Sequence, residues 1–424
     1  VTRAPLRVAV LGAGTVGREV VRGLARLAHL APIELVGIAV RDVERARARG
    51  LPADLLTDAP AHLVASPDTD AIVELMGGDE PAHTLVAAAL GAGKAVVSAN
   101  KHVVAHHGAS LEAIARRTGA QFRFEAAVGG GIPVLGPLAA DLAANRVTRV
   151  RGIVNGTTNH ILSAMATDGR TYEAVLREAQ ELGYAEADPS GDVGGHDAMN
   201  KIVILARLAF GAWVDPTSVR NRPPSIGGDG GPGITGVTAD ELSGAAAVGL
   251  TLRLLAAAAR PRPDGPLGIS VVPTALPSTS PLGAIGGVRN RIEVDGDLVG
   301  SVGFDGPGAG GAATSSAVLG DLLAVARGAG STWAALPPAT PLAASAAGAT
   351  GAVRDNLDGT RPWFLLIRGD SAPSLTRGVA DAAASVPGGL AVRTKPITLA
   401  ALRRRVVDAA PGLDGTPCYP VDDR

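Results

Sequence analysis

The sequence predicts an α/β protein in three parts: a parallel-sheet domain, an α+β domain after it, and a small α+β unit at the end. Three observations carry this. Short apolar runs alternate with helical stretches from residue 6 to about 124, the pattern of a parallel sheet with right-handed crossovers. Past about residue 145 that alternation stops. An Ala/Gly/Pro-rich stretch, 337–362, then reads as a linker before a last segment.

The elements follow in order. Leu6 to Leu11 reads as a strand, then a glycine turn, a helical stretch Arg18 to Leu30 and a second strand Ile33 to Val40. Ala71–Leu75, Ala95–Ser98 and Phe122–Phe124 read as further strands, with helices at Pro81–Ala92 and Ser110–Thr118 between them. In the second part Thr148–Val154 reads as a strand. Tyr172, Val175, Leu176, Ala179 and Leu182 recur at helical spacing, with Gly183 as the stop. A loop, Tyr184 to Gly195, leads into a helix from His196 to about Phe210, and Asn221–Gly236 reads as an ordered surface loop. Ile269–Val272 and Arg291–Val302 read as strands, the latter with a hairpin turn at Asp295-Gly296. Trp363–Ile367 reads as a strand and Ser374–Ala384 as a helix. The expected division is therefore 1–145, completed by a returning helix at about 310–330, then 146–309, the linker 337–362, and 363–424.

Composition narrows the function. The 424 residues carry 39 basic and 40 acidic side chains, a net charge of -1, which gives no reason to expect nucleic acid or an anionic membrane as partner. Aromatics at 3% argue against a stacking platform for single strands. No apolar run reaches the ~18 residues of a membrane span. The N-terminal run Val8–Leu11 reads as a buried strand, not a signal peptide. A single cysteine, Cys418, excludes an intrachain disulfide framework and points to a reducing, cytoplasmic setting. Only Lys94, Lys101, Lys201 and Lys395 among the 39 basic residues are lysine. Where arginine supplies the general charge, a lysine is a candidate for work that arginine, always protonated, cannot do.

Gly12-Ala13-Gly14-Thr15-Val16-Gly17 sits between a strand and a helix, with a second strand at the right distance. This is the context of a Rossmann dinucleotide site: Gly12 for the tight turn, Gly14 for the approach of a pyrophosphate, Gly17 for helix–sheet packing. The end of the second strand chooses the cofactor, an acid binding a ribose hydroxyl and an arginine accepting a 2′-phosphate. Arg41-Asp42 offers both, and Arg41 tilts the choice toward NADP over NAD; Arg45 and Arg47 read as a solvated helix face.

A polar stretch runs from Gly183 through Tyr184, Glu186, Asp188, Asp192 and Asp197 to Lys201. Asp197 and Lys201 are four apart on a predicted helix that is otherwise apolar, so a lysine there needs a partner or a lowered pKa, and either suits a general acid/base. The same spacing also fits an exposed ion pair at a helix start.

Together, Glu125–Pro133, Gly152–Asn159, Gly183–Pro189, Asp192–Asp197 with Lys201, Ala99-Asn100-Lys101, and Gly306–Gly310 running into Thr314 and Asp321 resemble homoserine dehydrogenase, over roughly residues 6–330. The resemblance implies reversible NAD(P)-dependent reduction of aspartate 4-semialdehyde to homoserine, in threonine, methionine and isoleucine synthesis. It makes Lys201 the proton donor, Asp197 its neighbouring acid, and Lys101 a lysine between nicotinamide and substrate. Glu186 holds the substrate amino group; Gly156, Thr157, Tyr184 and Asp192 line the remaining substrate contacts. Gly310 joins the cofactor-binding set. Glu125 and the carbonyls of Val128, Gly130 and Ile132 would hold a monovalent cation, usually sodium. A homodimer or homotetramer through the second domain's sheet is implied as well. Other readings are a different Rossmann oxidoreductase for an amino-acid-derived aldehyde or ketone, and a catalytically silent dinucleotide sensor, which would need the glycine turn but not the lysine. The final segment resembles a degenerate ACT regulatory domain, with Ser371-Ala372-Pro373-Ser374 where a Pro-Gly helix opening is usual.

Overall fold

The computed structural model describes residues 4–27, 29–339, 353–368, 378–409 and 413–423. Six strands, β1 (Leu6–Leu11), β2 (Ile33–Ala39), β3 (Leu56–Thr57), β4 (Ala71–Glu74), β5 (Ala95–Ser98) and β6 (Phe122–Arg123), pair in parallel in the order β3-β2-β1-β4-β5-β6. Helices α1 (Thr15–Leu27), α2 (Val43–Ala48), α3 (Pro60–Ala65), α4 (Ala82–Gly91) and α5 (Lys101–Thr118) connect them. β4 and β5 are buried at every residue, which is why they read as unbroken apolar runs rather than alternating ones. The strand order reverses between β1 and β4, and the crevice at their carboxyl ends is where this topology binds ligands.

The next stretch contains α6 (Leu135–Ala139), β7 (Val147–Ile153), α7 (Gly156–Asp168), α8 (Tyr172–Glu181), α9 (Ser190–Val193), α10 (His196–Phe210), β8 (Pro224–Ser225), β9 (Gly228–Asp229) and α11 (Ala239–Ala247). β10 (Leu250–Ala259), β11 (Leu267–Pro277), β12 (Arg289–Gly296) and β13 (Gly300–Pro307) follow. α12 (Gly311–Ala326) then returns to the first sheet, where Leu319 packs so closely on Gly23 of α1 that a Cβ there would sit 2.4 Å from it. The second sheet runs β13-β12-β7-β10-β11-β14, where β14 is Val353–Asp355; it is antiparallel except for the β11–β14 pair. α10 is buried without interruption from Asp197 to Leu208, as expected of a helix that is apolar nearly all round. Its three charged residues must therefore find partners inside the protein.

The last part holds β15 (Thr360–Arg361), β16 (Trp363–Ile367), β17 (Ala380–Val386), β18 (Gly389–Thr394), β19 (Ile397–Thr398), α13 (Leu399–Ala409) and β20 (Tyr419–Pro420). Four of these strands form an antiparallel sheet, β17-β18-β16-β20, over a core that includes Trp363, Leu365, Ile367 and Val392.

Several expectations need correction. Ala380–Val386 is a strand, not the end of a helix: its exposure alternates residue by residue and it pairs with β18, so sheet pairing overrides the helical preference of its alanines. The start of that expected helix and Ser371–Ser374 lie outside the described residues. Asp295 and Gly296 still pair in the ladder, and the reversal falls at 297–299, where Asp297 and Val299 are tied to Arg146 and Asn145. The expected linker contributes β14 and β15, while 340–352 lie outside the described residues. The loop before α10 contains α9. The Gly/Pro-rich loop is not wholly superficial, since Ile226 and Ile234 are buried. The helix expected from Ser110 begins at Lys101, because Asn100 caps it by accepting from the backbone N–H of Val103.

Candidate active site

The glycine turn after β1 has the geometry its sequence demands. Gly12 has φ +98°, and a Cβ there would lie 2.6 Å from the Leu75 carbonyl oxygen. A Cβ on Gly17 would strike the Gly12 carbonyl at 2.1 Å. Gly14 is different: nothing lies within 4 Å of a Cβ there, so its backbone opens onto free space at the start of α1. Ala13 lies in that turn, and Thr15 and Val16 form the first helical residues. Thr15 meets the start of α12, where Gly310 takes φ +113°. The turn forms one wall of a cleft of about 480 Å³ that runs past the ends of β2 and β4.

At the end of β2 the acid and the arginine have separate tasks. The Asp42 carboxylate caps α2 by accepting from the N–H of Arg45. Arg41, Arg45 and Arg49 line the cleft, whereas Arg47 pairs with Glu44 on the surface. Arg45 is exposed, as a solvated helix face requires, and that face of α2 also borders the cleft.

A fully buried acid, Glu74, joins the loops at the ends of β4 and β5. It accepts from Ser98 Oγ at 2.7 Å and from the Met76 N–H at 2.8 Å, and Asn100 Nδ2 donates to the Gly78 carbonyl at 2.8 Å. Sequence reasoning missed Glu74, although a carboxylate inside Ala-Ile-Val-Glu-Leu was a visible signal that something buried awaited it.

These loops deliver Lys101 to the start of α10. Asp197 accepts an ion pair from each of two lysines: Lys101 Nζ lies 2.7 Å from its Oδ1, and Lys201 Nζ lies 2.7 Å from its Oδ2. Lys201 is buried and also donates to the Val154 carbonyl at 2.6 Å, while Lys101 is part-exposed. Asn155 Nδ2 donates to both Asp192 Oδ1 and Asp197 Oδ2, at 2.7 and 2.8 Å. Burial pushes the Lys201 ammonium below the ordinary lysine range, against the pull of Asp197 and with the help of Lys101's charge. Lys101 is held above its ordinary value by Asp197. Burial opposes the charge on Asp197, yet the two ammonium groups hold it well below the usual carboxylate range. The exposed ion pair that the spacing also allowed is therefore not what the fold builds. Asp197 and Lys201, four residues and about one turn apart on α10, are buried, and the carboxylate is shared with Lys101 from the first domain.

The other candidates surround this centre. Gly156 opens α7 under the Asn155 cap, and Thr157 Oγ1 donates to the Tyr184 carbonyl at 2.8 Å. Tyr184 is exposed, its ring 5.1 Å from that of His160. Glu186 is exposed, and among the described residues no hydrogen-bond donor reaches its carboxylate; its charge bears on Lys101. Lys94 lies apart, donating to the Ser66 carbonyl rather than standing solvated at a helix end.

Glu125 is not the surface acid its position suggests. Its carboxylate accepts from the N–H groups of Val134, Leu135 and Gly136 at 2.7 to 2.8 Å, at the start of α6. Burial and the nearby Asp321 push its pKa up against those bonds. Among the described residues no hydrogen bond ends on the buried carbonyls of Val128, Gly130 and Ile132. Three unsatisfied carbonyl oxygens fit a hard cation, but the Glu125 side chain is committed to the backbone.

Comparison with known proteins follows the same division. A family model described as "Homoserine dehydrogenase, NAD binding domain" matches residues 12–125, and one described as "Homoserine dehydrogenase" matches 133–323. The chain is 44% identical over 332 residues to the homoserine dehydrogenase of Mycobacterium tuberculosis, covering 76% of this chain and 73% of that one. Its fold matches the crystal structure of a homoserine dehydrogenase from Thiobacillus denitrificans with TM-score 0.85 and 32% identity, over 99% of this chain and 98% of that one. It also matches a hyperthermophilic archaeal homoserine dehydrogenase in complex with NADPH, with TM-score 0.61 and 26% identity, over 76% of this chain and 97% of that one.

Proposed function

The chain belongs to the homoserine dehydrogenase family, and from that premise we propose how its residues interconvert L-aspartate 4-semialdehyde and L-homoserine. Gly12–Gly17 and the α1 N-terminus would hold a nicotinamide dinucleotide, which would supply or accept the hydride. In the reducing direction negative charge grows on the aldehyde oxygen. Lys201 stabilises that charge and gives the proton, and its lowered pKa eases the transfer. Asp197 orients both lysines, and Lys101 adds a second positive charge on the side of the cofactor cleft. Glu186, which no donor among the described residues satisfies, takes the substrate ammonium. The N–H groups of Gly156 and Thr157 at the start of α7, which have no acceptor among the described residues, take the carboxylate beside Tyr184, and Asp192 stays tied to Asn155. The observation that carries this reading is the single carboxylate of Asp197 shared, at 2.7 Å each, by lysines from two domains. A silent dinucleotide sensor has no use for it.

NADP is the preferred cofactor in this reading, because Asp42 is spent on a helix cap while Arg41, Arg45 and Arg49 line the cleft. The unsatisfied carbonyls of Val128, Gly130 and Ile132 support a sodium site, with Glu125 shaping the loop through α6 rather than ligating through its side chain. The family supports a homodimer or homotetramer and a place in threonine, methionine and isoleucine synthesis. The lone cysteine, Cys418, is buried and unpaired, which supports a cytoplasmic setting; no described helix is long and apolar enough to cross a membrane. The test is homoserine oxidation followed at the reduced-nicotinamide band. Turnover is expected with both cofactors and a higher kcat/KM for NADP. Lys201→Arg should bind the dinucleotide normally and lose at least about 100-fold in turnover. Near-normal turnover in that variant would remove Lys201 as the proton donor.

A further inference from the structure

The two lysines meet because two helices from different domains lie side by side and in the same direction. α5 starts at Lys101 and α10 starts beside Asp197. Eleven residues along α5 stands Glu112, and ten residues along α10 stands Arg207, each roughly 15 Å from the catalytic end at 1.5 Å per residue. These two residues meet in a second ion pair. Arg207 Nε lies 2.8 Å from Glu112 Oε2, and Arg207 Nη2 lies 2.6 Å from Glu112 Oε1, a bidentate fork. Arg207 is 0% exposed and Glu112 3%. Trp213 Nε1 donates to the same Glu112 Oε2 at 2.8 Å, and its ring lies over Gly108 of α5, where a Cβ would meet it at 2.3 Å. The helix pair is thus pinned at both ends, once by the active-site lysine and once by this fork.

Stability alone is a poor reason for such a device. A buried ion pair commonly does no better than apolar residues of the same volume. This one leaves Arg207 Nη1 buried with no hydrogen-bond partner among the described residues, which adds a cost. What a bidentate fork supplies that apolar packing does not is fixed register, since a one-residue slip of either helix breaks both bonds. We propose that Glu112 and Arg207, with Trp213, are positioning residues that set the register of α5 against α10 and so hold Lys101 and Lys201 on one Asp197 carboxylate. The proposal rests on the roles assigned above to the two lysines.

The test uses the full chain and four variants: the paired Glu112→Gln/Arg207→Met, the conservative Arg207→Lys, Trp213→Phe, and Lys201→Arg as reference. In the paired variant the dinucleotide Kd, read by fluorescence titration, and the KM for homoserine should stay within about twofold, while kcat falls about tenfold or more, as sub-ångström misplacement of reacting groups does. Arg207→Lys should restore part of the lost kcat, and Trp213→Phe should lower kcat at least about twofold. A folded paired variant with wild-type kcat overturns the proposal, as does one whose dinucleotide binding falls in step with kcat. If the paired variant does not fold, the two mild variants decide, and full kcat in both overturns it. Wild-type turnover in Lys201→Arg instead sinks the proton-donor assignment, and so separates the two failures.

Discussion

At the scale of single residues the chemistry turns on two ammonium groups that share one carboxylate. The groups facing Lys201 are Asp197 on its own helix, Lys101 from α5 and Asp192 from α9, with the uncharged Asn155 and the Val154 carbonyl completing the shell. Lys201 loses its proton at lower pH than an ordinary lysine, chiefly through burial and further through the charge of Lys101. Homoserine oxidation needs the neutral amine, so its rate climbs as pH rises through the Lys201 pKa. In Lys101→Gln one positive charge is gone and Asp197 serves Lys201 alone; both effects raise that pKa. The alkaline rise of kcat should therefore move to higher pH, with kcat reduced, and a rise that moved to lower pH would contradict the arrangement. The two lysines were legible because only four of the 39 basic residues are lysine, although Lys94, one of the other two, lies apart from the site. Glu186 and Thr157 entered the candidate site through motif resemblance alone. Glu74, Glu112 and Arg207 were not singled out, because Ser98 stands 24 residues from Glu74 and Arg207 stands 95 from Glu112, and only the fold brings them together.

At the scale of elements, caps decide where functional residues stand. Asn100 starts α5 one residue before Lys101, and Asn155 starts α7 while its amide bridges Asp192 and Asp197. Asn155→Ala removes a cap and both bridging bonds. It should cost about 1 kcal/mol of stability, read by denaturant unfolding, and should also lower kcat. Retention of full kcat despite the stability loss would reduce Asn155 to a cap. The central strands and α10 were readable from apolar runs, since burial on both faces or all round leaves that mark. The start of α5 was not, because its histidine-rich first turns carry little apolar periodicity. β17 was misread because alanine prefers helix and only the neighbouring strand decides otherwise.

At the scale of the whole molecule the sheets were predictable as classes but their joints were not. Val421 bridges to Ala275 and Asp422 reaches Arg149 and Arg151, so these two residues dock on the second sheet. No local pattern announces such long-range contacts. The parallel character of the first sheet, by contrast, follows from alternation and handedness, whereas its order β3-β2-β1-β4-β5-β6 is a finding of the fold. One joint matters beyond architecture: Lys101 belongs to the sheet that bears the glycine turn, while Asp197 and Lys201 belong to the other domain. Glu74 ties the Met76 loop, which lines the cofactor cleft, to Ser98 just before α5, so a dinucleotide bound in that cleft is expected to steady the start of α5 as well. Affinity is then a shared property of the two ligands, and thermodynamics requires the influence to be mutual. Whatever factor the oxidised dinucleotide lends to the binding of a non-reacting homoserine analogue, the analogue must return to the dinucleotide. Calorimetric titration of each in the presence of the other should give one common factor greater than one; a factor of one would mean that the two domains bind as strangers.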